Sequence, residues 1–271
     1  MSDINEVIKN LRVEAELSAE AEPKISIIML LYNGRTHLLK RAVQSVLDQT
    51  YKNWELILQD DCSTDGTFEM AVGFALLNKR IKVFRNKTNL GITKNRAAAF
   101  KGTTGDLICH VDNDDYIYPH ALGVMVDTFK KNPDIGFAFS DTSYALEDHV
   151  IYAHAAHKGP GGPLSEYGWR HLGMYRRTAY EQTKGYNEAL TAPCEDRDLF
   201  MQIAEKFPFA RVDQALYVYN MSGNRASSTV PKCTECPSRG RCNFLRIWAS
   251  NLPDAAHREH YAKIITEAQN G

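Results

Sequence analysis

Short apolar runs alternate with amphipathic stretches of about ten residues over the first half of the chain, and this constrains the fold most. Ile25 to Leu31 is almost continuously apolar, as in a strand covered on both faces. Leu38, Leu39, Ala42, Val43, Val46 and Leu47 then form one helical stripe. The same reading predicts strands over 55–59, 81–84 and 107–111. It predicts helices over 67–77 and 93–101, and a helix from Pro119 to about Lys131. Strands alternating with helices imply βαβ units and a mostly parallel, Rossmann-like α/β sheet flanked by helices. Ligands of such sheets bind outside the carboxyl ends of the strands. The polar clusters Tyr32-Asn33-Gly34, Asp60-Asp61 and Asp112-Asn113-Asp114-Asp115 fall at those ends.

Beyond about residue 133 the pattern loosens. Strands are predicted at 137–139, 210–212 and 215–219, a loop and strand over 169–175, and a helix over 196–206. Residues 154–163 are rich in Gly, Pro and His and read as a loop. Residues 223–243 read as irregular, and a last helix is predicted over 255–269. Residues 1–22 read as an acidic amphipathic helix, with Ile4, Val7, Ile8 and Leu11 in phase and Pro23 at its end. The expected organisation is an N-terminal helix (1–22), one catalytic-size domain (23–222) and a cysteine-containing extension (223–271).

A hydrophobic fraction of 44% in 271 residues is enough for a sizeable core and excludes a disordered chain. A net charge of −1 gives no global field for nucleic acid, so no nucleic-acid partner is expected. No apolar run approaches the ~20 residues of a membrane span, and the first residues lack the basic region of a secretory signal. The expectation is a cytoplasmic protein, with a peripheral place at the inner face of the membrane left open. The oligomeric state is not legible.

Asp112-x-Asp114 follows an apolar strand, where alternate carboxylates can serve a hard divalent cation such as Mn²⁺ or Mg²⁺ and a sugar hydroxyl. Taken singly, such a turn is more often merely solvated. Several ordered motifs change the weighing. The chain resembles the family 2 glycosyltransferases of the nucleotide-diphospho-sugar transferase (GT-A) fold. The resemblance runs through Ile25 to Asn33, Ser45 to Tyr51, Trp54-Glu55-Leu56, Asp60 to Thr67, Asn89-Leu90-Gly91, the Asp112–Asp115 cluster, Gly185 to Glu188, and Glu195-Asp196. It covers about residues 24–222.

The resemblance implies roles. Tyr32 would lie against the nucleobase, and Asp61 would accept the uracil N3–H of a UDP-sugar. Asp112 would bond ribose or hold the motif, Asp114 would ligate the metal of the DXD motif, and Asp196 would be the catalytic base. Each has a plainer alternative: a core aromatic for Tyr32, a turn cap for Asp60, helix capping for Asp196. Asp65 reads as an N-cap rather than a catalytic group. Glu195 is a weaker second choice of base. Breaking the sugar–phosphate bond leaves charge that a cation stabilises, while a carboxylate removes the acceptor proton. The implied reaction is a single displacement with inversion.

Three departures stand out. Cys62 occupies a position where the family often has glycine. No histidine occurs between His171 and His257, where many relatives supply a late metal ligand; Asn224 and Arg225 stand near that place, and Arg225 could clamp the diphosphate. Cys233, Cys236 and Cys242 have metal-ligand spacing. Cys194 is the favoured fourth ligand for a structural Zn²⁺, with His257 and His260 as alternatives and a disulfide or unligated thiols as competing readings. Acceptor contacts are expected within 141–182, from Trp169, His171, Tyr175 and Arg176, for a carbohydrate, lipid-linked or peptide acceptor. Two other functions stay open: a nucleotidyltransferase, for which the chain lacks a basic, glycine-rich phosphate loop, and a non-catalytic sugar- or protein-binding module.

Overall fold

Alternation along β1 (Ile25–Leu31) sends its side chains to two different cores. Ile25, Ile27, Met29 and Leu31 face one, and Ile28 faces the other. The computed structural model describes residues 22–146, 149–153, 171–189 and 195–221. The N-terminal helix, Trp169, Cys194, Asn224, Arg225, Cys233, Cys236, Cys242, His257, His260 and the last predicted helix lie outside the described residues.

After β1 come α1 (Thr36–Leu47), β2 (Trp54–Asp60), α2 (Thr67–Leu77), β3 (Ile81–Arg85), α3 (Ile92–Lys101) and β4 (Leu107–His110). Then follow β5 (Tyr116–Ile117), α4 (Ala121–Lys131), β6 (Phe137–Leu146), β7 (His149–Ala153), β8 (Gly173–Arg176), α5 (Arg177–Tyr180), α6 (Glu195–Ala204) and β9 (Phe209–Asn220). The sheet order is β3-β2-β1-β4-β8-β6-β9-β5, with β7 on β6. The first four strands are parallel, with Ile25 opposite both Trp54 and Leu107. The β6–β9 ladder is also parallel, while β8 joins β4 to β6 antiparallel. Most paired residues therefore lie in parallel ladders, as expected.

Helices α1, α2 and α4 cover one face, around Leu39, Val43, Ala71 and Met125. Helices α3, α5 and α6 cover the other, around Ala99, Ala179, Leu199 and Phe200. The chain reverses direction across the sheet between β1 and β4, so their carboxyl ends flank a crevice of the kind that takes ligands.

At the opposite end, Glu55 is buried and acts as a staple. It accepts Lys24 Nζ (2.9 Å), Lys82 Nζ (2.8 Å), Ser26 Oγ (2.7 Å) and the Thr104 N–H (2.6 Å). Burial alone would raise its pKa, but the lysines, Ser26 and Thr104 together lower it to about 2. Gly105 has no room for a side chain there: a Cβ would lie 2.6 Å from both Lys24 O and Ser26 N.

The second half differs in detail from expectation. Strands predicted at 210–212 and 215–219 are one strand, β9. Ser140 faces Val212 and Asp141 faces Ala215, so Asp213 and Gln214 form a bulge rather than a break. The strand expected at 137–139 runs on to Leu146. The short elements β5, β7 and α5 carry too few residues for a periodic signal. No helix among the described residues is long and apolar enough to cross a membrane.

Candidate active site

Three loops meet at the carboxyl ends of β1, β2 and β4. The first is held by Asn33, at φ 46°, whose N–H donates to Ser63 Oγ (3.0 Å). Its Oδ1 accepts the Thr64 N–H (2.9 Å), and the Gly34 N–H donates to Thr67 Oγ1 (3.0 Å). The first two loops are thereby stitched together. Tyr32 projects from this unit 52% exposed, which rules out the core-aromatic alternative.

In the second loop, buried Asp60 accepts the Ser63 N–H (3.0 Å) and pairs with Arg85 Nε (3.2 Å), so it caps the turn. Asp61 is also buried. Its Oδ1 accepts Asn86 Nδ2 (2.7 Å) and the Leu90 N–H (2.8 Å), and its Oδ2 accepts the Gly91 N–H (2.9 Å). Both carboxylates therefore have structural duties, and Asp61 Oδ2 keeps acceptor capacity for one further donor. Cys62 sits at φ 65°, the left-handed region, which gives the physical reason for a glycine there. Asp65 is not the N-cap of α2: Gly66, at φ 87°, holds that position without a side-chain cap, and Asp65 one residue earlier accepts the Thr67 N–H (3.0 Å) across the turn.

The third loop follows β4. Asn113 Nδ2 donates to Leu30 O (2.9 Å), and Arg41 Nη2 donates to Asp114 O (3.0 Å). Buried Asp115 accepts the Tyr217 hydroxyl (2.6 Å) and the Asn220 N–H (2.7 Å). Tyr217 in turn accepts the Asp112 N–H (3.1 Å). The Asp112 carboxylate is half-buried, with Arg96 Nη2 on one side and His171 Nε2 on the other, each at 4.0 Å. Burial raises the pKa of Asp114, and the neighbouring Asp112 raises it further. Asp115 is raised well above the carboxylate range by burial and then by Asp112 and Asp114.

Asp196 and Glu195 lie in the first turn of α6, where a helix N-terminus favours negative charge. Asp196 Oδ1 accepts the Arg197 N–H (2.6 Å). Glu195 is buried and receives Arg96 Nε at 2.8 Å. Burial pushes its carboxyl up and the Arg96 cation draws it back. Beneath it, His110 Nε2 lies 2.7 Å from the Tyr186 hydroxyl, itself 2.8 Å from the Tyr175 hydroxyl. Burial, with Arg96 and His171 nearby, holds His110 well below its ordinary pKa and so neutral.

Two expected acceptor residues stand elsewhere. Tyr175 is fully buried in this hydroxyl chain. Arg176 lies opposite Leu107, at the amino end of β4, and donates to Ile135 O (2.9 Å) and Phe129 O (3.0 Å). Both belong to β8, which sinks between β4 and β6, so neither can meet an acceptor at the site. His171 does reach it, stacked on Tyr217 with centroids 4.7 Å apart. Arg96, Asp115 and Tyr217 were missed as site residues. The usable signal for Arg96 was an arginine three residues after Thr93 in an alanine-rich helix, on the face that is buried.

Known proteins match this arrangement. A model of glycosyl transferase family 2 matches residues 26–191. EpsE of Bacillus subtilis (strain 168), which carries the name of a glycosyltransferase, is 34% identical over 201 residues, covering 72% of each chain. S. aureus TarS in complex with UDP-GlcNAc superposes with a TM-score of 0.65 at 22% identity, over 90% of this chain and 71% of that one. The mannosyltransferase PcManGT from Pyrobaculum calidifontis, with GDP-Man and Mn²⁺, gives 0.59 at 16% identity, over 96% and 71%. These two likenesses establish the GT-A-type fold.

Proposed function

The chain belongs to glycosyl transferase family 2 and is a hexosyltransferase-type enzyme, and on that premise we propose that it moves a sugar from a UDP-sugar to an acceptor hydroxyl with inversion. The observation that carries the reading is convergence. Asp112 after β4 and Glu195, beside Asp196 at the head of α6, meet at Arg96, and Asp61 holds the Gly91 N–H at the start of α3, the helix that carries Arg96.

In this reading Tyr32 supports the base and Asp61 Oδ2 accepts the uracil N3–H. Asp112 bonds ribose, and Arg225 clamps the diphosphate. Asp112 and Asp114, the second held up by burial and by the first, suit a divalent cation, Mn²⁺ or Mg²⁺. The described residues form no cluster of three His, Cys, Asp or Glu side chains that could hold an ion, so phosphate oxygens and water would complete the shell. Asp114 is the proposed protein ligand. Such an ion supplies Lewis-acid stabilisation of the diphosphate leaving group. Asp196 takes the acceptor proton as the new bond forms, on the face opposite the diphosphate. The acceptor is a carbohydrate, a lipid-linked sugar or a peptide. Separately, Cys194, Cys233, Cys236 and Cys242 are the proposed ligands of a structural Zn²⁺. Elemental analysis with thiol titration checks this: below about 0.2 equivalents, with all thiols free, there is no zinc site.

The test incubates the protein and Mn²⁺ with UDP-glucose, UDP-galactose, UDP-GlcNAc and GDP-mannose, and measures nucleotide release. Release of UDP, lost in EDTA, supports the reading. Preference for GDP-mannose would overturn the uridine assignment, and retention at the anomeric carbon by NMR would overturn inversion. Pyrophosphate release from a triphosphate would indicate a nucleotidyltransferase. Binding with no turnover, even with added acceptors, would indicate a binding module.

A further inference from the structure

Among the described residues, Arg96 is the one whose charged group meets both Asp112 after β4 and Glu195 at the head of α6. It is 4% exposed, on the inner face of α3. Its Nε donates to Glu195 Oε1 at 2.8 Å, and its Nη2 stands 4.0 Å from Asp112 Oδ1. Glu195 is 2% exposed, and among the described residues its Oε2 has no hydrogen-bond partner.

As a device for stability this pair is poor. Burying two ions costs more than their attraction returns unless every remaining lone pair is satisfied, and apolar residues of similar volume usually do as well or better. The apolar side chains Leu199 and Phe200 of α6 lie in the neighbouring core, and Tyr186 and His110 also lie close enough to feel the Arg96 charge from beneath. What the pair does supply is direction. Successive residues of a helix are separated by a fixed rotation, so holding Glu195 sets where Asp196 points. The guanidinium is a rigid planar fork, so its two arms fix a spacing as well as a charge.

We propose that Arg96 is a positioning residue: through Glu195 it fixes the rotation of the α6 head, and through Asp112 it sets the distance between that head and the donor-binding end of β4. This rests on the reading of Asp196 as the base. Arg96 itself moves no proton. It makes the base-to-donor geometry a property of one buried group rather than of two separate loops.

The test uses the full chain, Mn²⁺, and whichever of the four nucleotide sugars above the native enzyme hydrolyses fastest. Arg96→Met and Glu195→Gln should each lower kcat by about tenfold or more, with the Kd for UDP in Mn²⁺ within about threefold of native. Glu195→Gln keeps the side chain's shape and is the variant least prone to misfold. The decisive variant is the double replacement Arg96→Met/Glu195→Leu. It should recover the native Tm, because the pair is replaced by apolar packing, while kcat stays about tenfold or more below native. Recovery of kcat together with Tm would reduce the pair to a structural role and overturn the proposal. So would a UDP affinity that falls more than about tenfold with kcat intact, which would make Arg96 a donor-binding residue. Asp196→Asn is measured alongside. Native kcat in that variant removes the base reading itself; an inactive Asp196→Asn beside a fully active double variant removes only the positioning role.

Discussion

At Cys62 a side chain occupies φ 65°, where an L-residue costs about 1–2 kcal/mol. Part of that would be recovered by glycine, which loses about 0.5–1 kcal/mol more chain entropy on folding. Cys62→Gly should therefore stabilise the protein modestly, raising Tm by about 1–3 °C, and calorimetry checks it. Asp61 poses the opposite case, since it serves the fold and the proposed base pocket at once. Asp61→Ala strips the Leu90 N–H of its acceptor and leaves the Gly91 N–H with Asn89 Oδ1 and Asn86 with Asn95 Oδ1, so it should lower Tm as well as weaken UDP binding by about 1–3 kcal/mol. Asp61→Asn keeps one oxygen, for Asn86 and the Leu90 N–H, while the Gly91 N–H retains Asn89 Oδ1; titration calorimetry with UDP and GDP should show preference lost with less damage to Tm. A variant that binds UDP as native does would remove Asp61 from the base pocket. Asp114→Ala should abolish Mn²⁺-dependent UDP binding while leaving the thermal transition in place; binding unaffected by EDTA would remove the cation role.

Among elements, the Glu55 staple joins the amino ends of β1, β2 and β3 to the turn before β4. Its pKa is depressed from 4.5 to about 2 on folding. A depressed carboxylate contributes stability in full above its unfolded value and loses it as pH falls through the folded one. The contribution is at most about 3 kcal/mol, fading between pH 4.5 and 2. Glu55→Gln should lower the denaturation midpoint at pH 7 and converge with native near pH 2; parallel curves across that range would count against the staple. The same strands were the most legible part of the sequence. β1, α1 and β4 are buried along continuous runs or stripes, so the sequence pattern alone marks them. Tertiary pairing, by contrast, left little local trace. The two residues of β5 are a strand only because β9 lies beside them, and the bulge at Asp213-Gln214 imitates a break. At the site, acids at strand ends were readable because they recur after β2 and β4 within ordered motifs. Arg96 and Tyr217 were not, since their partners lie 99 and 102 residues away.

Across the whole molecule, the proposed donor-side residues Tyr32, Asp61, Asp112 and Asp114 all precede residue 115, yet their scaffold does not close there. Asp115 is held by Tyr217 and by the Asn220 N–H, and β9 lies between β6 and β5 in the sheet. A chain ending at residue 208 should therefore fail to bind UDP in Mn²⁺ and should melt without a cooperative transition, although it contains every one of those side chains. A chain ending at residue 221 keeps the strand and separates its part from that of the tail; equal UDP binding by the 208-residue chain would show that β9 is dispensable for the donor site. The order of synthesis gives the same strand a temporal meaning. At about 5–20 residues per second the ribosome needs roughly 5–20 seconds to travel from the Asp112–Asp115 turn to the end of β9. Through that interval the nascent enzyme carries Tyr32, Asp61, Asp112 and Asp114 without the strand that locks Asp115, so it is born inert and becomes competent only when nearly all of the domain has been made.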